Sequence, residues 1–167
     1  MEGRAAGPGT EETLDRGDDG AEVVVEVVAH CLLNPLTRVK GLRPIDHPIK
    51  GPVIQLPCPE ALYSGLDRWA VTKNQLDVPE FRRFCRSLIT YYADEIEGLA
   101  SKGFRIRIVG AAGSPSCGVV TTSTGYSGGR IEAQDHHHTL GQGIFFEELM
   151  KELKLRSISF EASEACS

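Results

Sequence analysis

Val23 to Ala29, VVVEVVA, is apolar at every position but Glu26, and most of it is β-branched. A run of this kind that does not alternate suits a strand covered on both faces, as in a parallel sheet. The run ends in His30-Cys31 and breaks soon afterwards at Asn34-Pro35.

The rest of the chain reads as the matching partners. Residues 36–52 carry Gly and Pro every few positions and predict an irregular surface excursion, followed by a short second strand, VIQL, stopped by Pro57. From Asp77 the period changes. Asp77 and Glu80 match a capping box, Pro79 falls in the first turn, and Phe81, Phe84, Leu88, Tyr92, Ile96 and Leu99 recur at helical spacing. This helix is expected to end near Lys102-Gly103, before a third strand in FRIRIVGAA. A polar, glycine-rich stretch over 121–143 leads to a second helix, IFFEELMKELK, and a last short strand, SISFEA. Strands alternating with helices predict a three-layer α/β sandwich on a mostly parallel, Rossmann-like sheet joined by right-handed crossovers. No internal repeat is visible.

A chain of 167 residues suits one domain, placed at 21–162, with tails at 1–20 and 163–167. The first twenty residues are rich in Gly and acidic side chains and lack the apolar core of a secretory signal, so they predict a disordered tail and a cytoplasmic location. No apolar run approaches the ~18 residues of a membrane span. The net charge of −5 argues against a long nucleic-acid partner and leaves a small molecule as the expected one. In a reducing compartment the five cysteines imply metal ligation, catalysis or burial rather than disulfides.

Cys31 follows the first predicted strand, Cys58 the second in LPCPE, and Cys117 the third in AAGSPSCG, each in a turn that contains proline. The carboxyl ends of parallel strands share one edge, where ligands bind, so these thiols are expected to meet. There is no C-x-x-C and no zinc-finger spacing, so topology alone carries this expectation. Three small thiols filling the top of a core is the competing explanation. Cys85, beside the helical apolar stripe, reads as a packing residue, and Cys166 lies in the C-terminal tail.

CLLNPLTRVKG, CPEALYSGL with Arg68, and SPSCG resemble, in order and rough spacing, the three blocks of the DUF523 family, which includes the thiouracil desulfurases. The resemblance covers about residues 24 to 160. The chain departs from it at Asn34, where the family usually has Gly, and at Arg38-Val39-Lys40-Gly41, where Arg-Tyr-Asp-Gly is usual, which points to a distant subgroup. The resemblance implies a [4Fe–4S] cluster held by Cys31, Cys58 and Cys117, with the fourth iron open to substrate sulfur. It also implies an enzyme that removes sulfur from a small thiolated compound of the thionated-nucleobase class.

Three thiolates on a cluster that normally takes four leave a vacant position, as catalytic zinc sites do. A soft Lewis acid there would bind a thiocarbonyl sulfur. Glu60, two residues beyond Cys58, is the candidate acid or base. Ser114 and Ser116 are candidates to orient substrate or donate hydrogen bonds to cluster sulfurs, with Ser114 taken beside Glu60 as the catalytic candidate and a purely local role expected for one of the two serines. The alternatives are a zinc-binding or thiol-redox protein without hydrolytic activity, or a small-molecule binding module whose thiols only pack. His30 would join a Cys₃His zinc site only if the strand bends locally. His136, His137 and His138 are consecutive and read as a solvated loop. TTSTGYSGGR lacks the ending of a P-loop and reads as a mobile loop over the edge. Arg68 and Trp69 are candidates to hold an anionic or planar substrate, with a surface Arg and a partly packed Trp as the competing explanation.

Overall fold

The computed structural model describes residues 22–130 and 136–167. In chain order the elements are β1 (Val24–Val28), β2 (Val53–Gln55), α1 (Pro59–Ser64), α2 (Lys73–Leu76), α3 (Pro79–Ser101), β3 (Arg105–Ala111), β4 (Thr121–Thr124), β5 (His137–Leu140), α4 (Ile144–Leu155) and β6 (Glu161–Ala165). Short 3₁₀ turns at His30–Leu32 and Pro35–Thr37 follow β1. The main sheet runs β2-β1-β3-β6 with every pair parallel, and β4 and β5 form a separate antiparallel ribbon. The fold is an α/β sandwich. Among the described residues no helix is long and apolar enough to cross a membrane.

The strand order dictates the layers. The chain moves from β1 to β2 on one side, then crosses back to β3 and on to β6. Right-handed crossovers put the first connection on one face of the sheet and the two later ones on the other. The packing agrees, because α3 and α4, which make the later connections, pack on each other. Val25 and Val27 register with Ile106 and Ile108, all buried, on the face those helices cover. Gly110 continues that face and lies so close to α4 that a Cβ there would come within 3.2 Å of the Phe146 ring.

The opposite face explains the one interruption in the first apolar run. Glu26 registers with Arg107, and Arg107 with Glu161. Arg107 bridges both carboxylates, at 3.7 Å to Glu26 and 3.4 Å to Glu161. From the 29–52 connection, His47 Nε2 reaches Glu26 at 3.1 Å. This third layer is thus irregular chain rather than a second pair of helices.

Helix α3 buries Phe81, Cys85, Ile89, Ala93 and Ile96, so Cys85 packs within the buried stripe rather than beside it, and Phe84, Leu88, Tyr92 and Leu99 are only partly buried at its flank. The expected capping box at Asp77 and Glu80 does not form. Val78 occupies the N-cap, and Asp77 instead grips Arg82 through two bonds of 2.6 and 3.0 Å. A bidentate guanidinium is a stronger partner for a carboxylate than a single amide. A capping box does occur one element earlier, between Thr72 and Gln75 of α2. Arg82 also reaches Glu148 at 2.7 Å, and Lys73 reaches Glu147 at 2.8 Å, which ties α2, α3 and α4 together.

Three further sequence expectations shift. Helices α1 and α2, of six and four residues, are too short to display a period and were not anticipated. The polar stretch over 121–143 contains the β4–β5 ribbon rather than only loop. The last strand lies at Glu161–Ala165, not 157–162, because residues 156–158 close α4: Ser157 adopts φ 57°, and Ile158 N–H bonds Leu153 C=O at 2.9 Å. Residues 163–165, assigned to a tail, therefore belong to the sheet. The expected tail at 1–20 lies outside the described residues.

The helix network sets a pH dependence. The Arg82 hydrogen bond holds the Asp77 carboxyl below its ordinary value of 3.8. Burial pushes Glu147 up, but Lys73 and Arg82 outweigh it and hold that carboxyl below 4.5. Groups with depressed folded values stabilise fully above their unfolded values and lose that contribution as pH falls through the folded ones. Chemical denaturation between pH 7 and pH 2 should show stability falling once the pH drops below about 4. In Arg82→Ala that fall should be shallower, because Asp77 loses the hydrogen bond that chiefly lowers it, while Lys73 still holds Glu147 down.

Candidate functional site

The reversal of strand order lies between β1 and β3, and in open α/β sheets this switch point is where a crevice opens at the carboxyl edge. A cavity of about 220 Å³ is found there, lined by Cys31, Cys58 and Cys117 together with Glu60, Ser114 and Ser116. The three thiols expected to meet do so, and none is in a disulfide.

Each thiol is set by local chemistry. Cys31 sits in the 3₁₀ turn that ends β1, and His30 fixes that turn by bonding Leu56 C=O through Nδ1 at 3.0 Å. His30 therefore opens a turn instead of continuing the strand. Cys58 is the N-cap of α1, its Sγ accepting the Ala61 N–H at 3.4 Å, with Pro59 at the first helical position and Glu60 in the first turn. Cys117 lies in a tight loop where its N–H bonds Ser114 Oγ at 2.9 Å and the Gly118 N–H bonds Ser114 C=O at 3.1 Å. The glycine after the cysteine is obligatory, since a Cβ at Gly118 would collide with the carbonyls of Thr121 and Ser114. The first turn of α4 holds the same loop from behind: Ile144 N–H bonds Pro115 C=O at 2.9 Å and Phe146 N–H bonds Ser116 C=O at 3.1 Å. These contacts satisfy donors that a helix start leaves unpaired.

A polar web runs beneath the thiols. Ser116 O–H donates to Glu60 Oε1 at 2.5 Å, and the same hydroxyl lies 3.5 Å from Cys117 Sγ. Arg68 Nε meets Glu60 Oε2 at 3.3 Å, while its terminal nitrogens bond Thr37 C=O at 2.8 Å and Gly65 C=O at 3.3 Å and lie 3.9 Å from Cys58 Sγ. Arg38 Nη1 lies 3.9 Å from Cys31 Sγ, and the buried Arg38 Nε–H has no hydrogen-bond partner among the described residues.

Burial pushes the Cys31 thiol up, against the opposing pull of Arg38. Burial likewise raises Cys58, with the Ala61 N–H resisting. Cys117 is held well above its ordinary value, first by burial and then by the neighbouring Cys58 and Cys31. Three thiolates here would repel one another unless a cationic group lay between them.

Glu60 is buried at the centre of the web, and Ser114 lines the cavity with its oxygen engaged by the N–H groups of Ser116 and Cys117. Ser114 thus takes the local role and Ser116 faces the carboxylate. Arg68 is committed to Glu60 and two carbonyls, and Trp69, 73% exposed, is absent from the cavity wall. Sequence reasoning passed over Arg38, and it set aside two histidines. His137–Leu140 is strand β5 rather than loop, and His136 and His138 line the cavity, with the His138 ring packed on Gly113. The period of two that puts residues 136 and 138 on one side was the available signal. Cys166 is exposed and outside the site.

Among the described residues no three His, Cys, Asp or Glu side chains converge closely enough to grip a single metal ion. A four-iron cluster spreads its thiolates over separate irons and takes hydrogen bonds at its sulfurs. The donor set here fits that group: three thiols from three loops, the Ala61 N–H and Ser116 hydroxyl beside two of them, and a buried guanidinium N–H awaiting an acceptor.

Gly118→Ala should displace Thr121 and the Cys117 loop, lowering stability by about 1–3 kcal/mol in equilibrium denaturation. Gly98→Ala, where nothing lies within 4 Å of the added Cβ, should be neutral or stabilising.

The chain is 25% identical over 150 residues to an uncharacterized protein of Methanocaldococcus jannaschii, an alignment covering 84% of each chain. No protein-family model and no solved structure matches it.

Proposed function

We propose that the chain is an iron–sulfur-dependent desulfurase of the DUF523 type that hydrolyses a small thiolated compound of the thionated-nucleobase class. The observation that carries this reading is the meeting of three thiols, from the ends of β1, β2 and β3, around a cavity that also contains the buried Glu60 carboxyl. Cys31, Cys58 and Cys117 would hold a [4Fe–4S] cluster. When bound, it supplies an open iron, a soft Lewis acid suited to a thiocarbonyl sulfur.

The chain's own residues supply positioning and proton transfer. Overall, a thiocarbonyl and water become a carbonyl and hydrogen sulfide. Glu60 takes one proton from the attacking water and passes it to the sulfur, then takes the second from the added hydroxyl as the carbonyl forms and passes it on, so both protons of water leave on hydrogen sulfide. The Ser116 hydroxyl and Arg68 fix the two oxygens of that carboxyl, so it meets the substrate in one orientation. Arg38 places positive charge beside Cys31, where thiolate charge gathers. Oxygen-labile chemistry of this kind suits a reducing compartment, and we assign the protein to the cytoplasm on that ground.

Anaerobically purified protein should be brown, with about four irons and four sulfides per chain. Cys31→Ala, Cys58→Ala and Cys117→Ala should each lose iron, whereas Cys85→Ala and Cys166→Ala should retain it. Full iron in any of the first three removes that residue from the ligand set.

Glu60→Gln should retain iron and fold but reduce desulfuration of a thiolated pyrimidine by ~10²–10⁴-fold, the range of a missing general acid–base group. Near-normal turnover with full iron content would assign the proton transfer elsewhere.

A further inference from the structure

The loop carrying Cys117 is fastened from the last strand of the sheet. Glu164 of β6 extends its carboxylate across the edge, and Oε1 accepts three consecutive backbone N–H groups: Val119 at 2.7 Å, Val120 at 2.5 Å and Thr121 at 2.6 Å. Oε2 accepts the Thr121 hydroxyl proton at 2.9 Å. The Thr121 oxygen in turn accepts the Gly113 N–H at 2.9 Å. One side chain thereby ties both ends of segment 113–121, with Cys117 between them.

Consecutive N–H groups that point the same way form an anion-binding concavity, and here the chain fills it with its own carboxylate. The loop cannot replace these bonds internally. Gly118 is already pressed against the Thr121 and Ser114 carbonyls, and the Ala111 N–H is engaged with Cys117 C=O at 2.9 Å. Hydrogen bonds to a carboxylate are about twice as strong as those between neutral groups. Cys117 is only 5% exposed, so its orientation and seclusion depend on this loop staying closed. Cys31 and Cys58, in contrast, are held by the ends of β1 and β2 and by α1, and share no bond with Glu164.

We propose that Glu164 is the positioning residue of Cys117: it acts on the third thiol through the Val119–Thr121 backbone and leaves the other two thiols unaffected. The effect on thiol exposure stands on the hydrogen bonds alone; a further effect on iron binding rests on the proposed function.

The test is site-resolved alkylation of the full-length, iron-free protein by iodoacetamide, read by mass spectrometry, for wild type, Glu164→Ala and Glu164→Gln. In Glu164→Ala the rate at Cys117 should rise at least about tenfold, since the four bonds that hold its loop closed are lost together. Rates at Cys31 and Cys58 should stay as in wild type. Cys85, fully buried in α3, reports general unfolding and should also stay slow. Glu164→Gln keeps an oxygen for the three N–H groups and should remain near wild type. An unchanged Cys117 rate in Glu164→Ala, or a rise at Cys85 parallel to that at Cys117, overturns the proposal. So does a Gln variant as reactive as the Ala variant. After anaerobic reconstitution, Glu164→Ala should bind less iron than wild type. If the wild type itself takes up none, the proposed function fails, and the alkylation rates still decide the role of Glu164.

Discussion

The handedness of the connections is the constraint on which the rest of the structure depends. Because β2 lies on one side of β1 and β3 on the other, the chain must run first over one face of the sheet and then twice over the opposite one. The loops leaving β1 and β3 consequently part from each other, and the gap between them becomes a cavity without any residue having been spent on making one. Parallel pairing adds the second condition: all strands finish at the same edge, so residues far apart in sequence emerge side by side. Cys31, Cys58 and Cys117 are neighbours for this reason and not through any local motif.

Charge balance separates the two arginines of the cavity. Arg68 is neutralised by Glu60 and has its remaining donors on carbonyls, so it is a finished structural unit. Arg38 is different: it faces a thiol and carries a buried N–H with no acceptor among the described residues. A buried donor left unpaired costs about 1–3 kcal/mol. That donor belongs to a residue of the wall that also carries the three thiols.

Much of this was legible in the sequence, for identifiable reasons. The apolar run at Val23–Ala29 and the periodic stripe from Phe81 are long enough to express their period, and the thiols could be placed because each closes a strand. Glu60 was found by adjacency to Cys58. What escaped depends on contacts that no short window contains. Ser114 and Ser116 are chemically identical and two residues apart; only the position of Glu60 in space distinguishes them. Arg38 looks like any loop arginine until its guanidinium is seen beside Cys31. Asp77 is different: its competing partner, Arg82, is only five residues on in the first turn of α3, but the capping pattern does not reveal which of the two the carboxylate takes. Glu164 was assigned to a tail because the closure of α4 at Ser157 moves the last strand forward by a few residues.

The fastening of the Cys117 loop by β6 has a consequence for the order in which this protein is made. A ribosome delivers Cys31, Cys58 and Cys117 before residue 144, yet the loop around Cys117 needs N–H donors from the start of α4 and a carboxylate from residue 164. A nascent chain that has exposed all three thiols but not yet its last strand holds them without their final geometry. On the proposed role of Glu164, a chain that has not yet formed β6 carries all three cysteines but lacks the carboxylate that fastens the Cys117 loop.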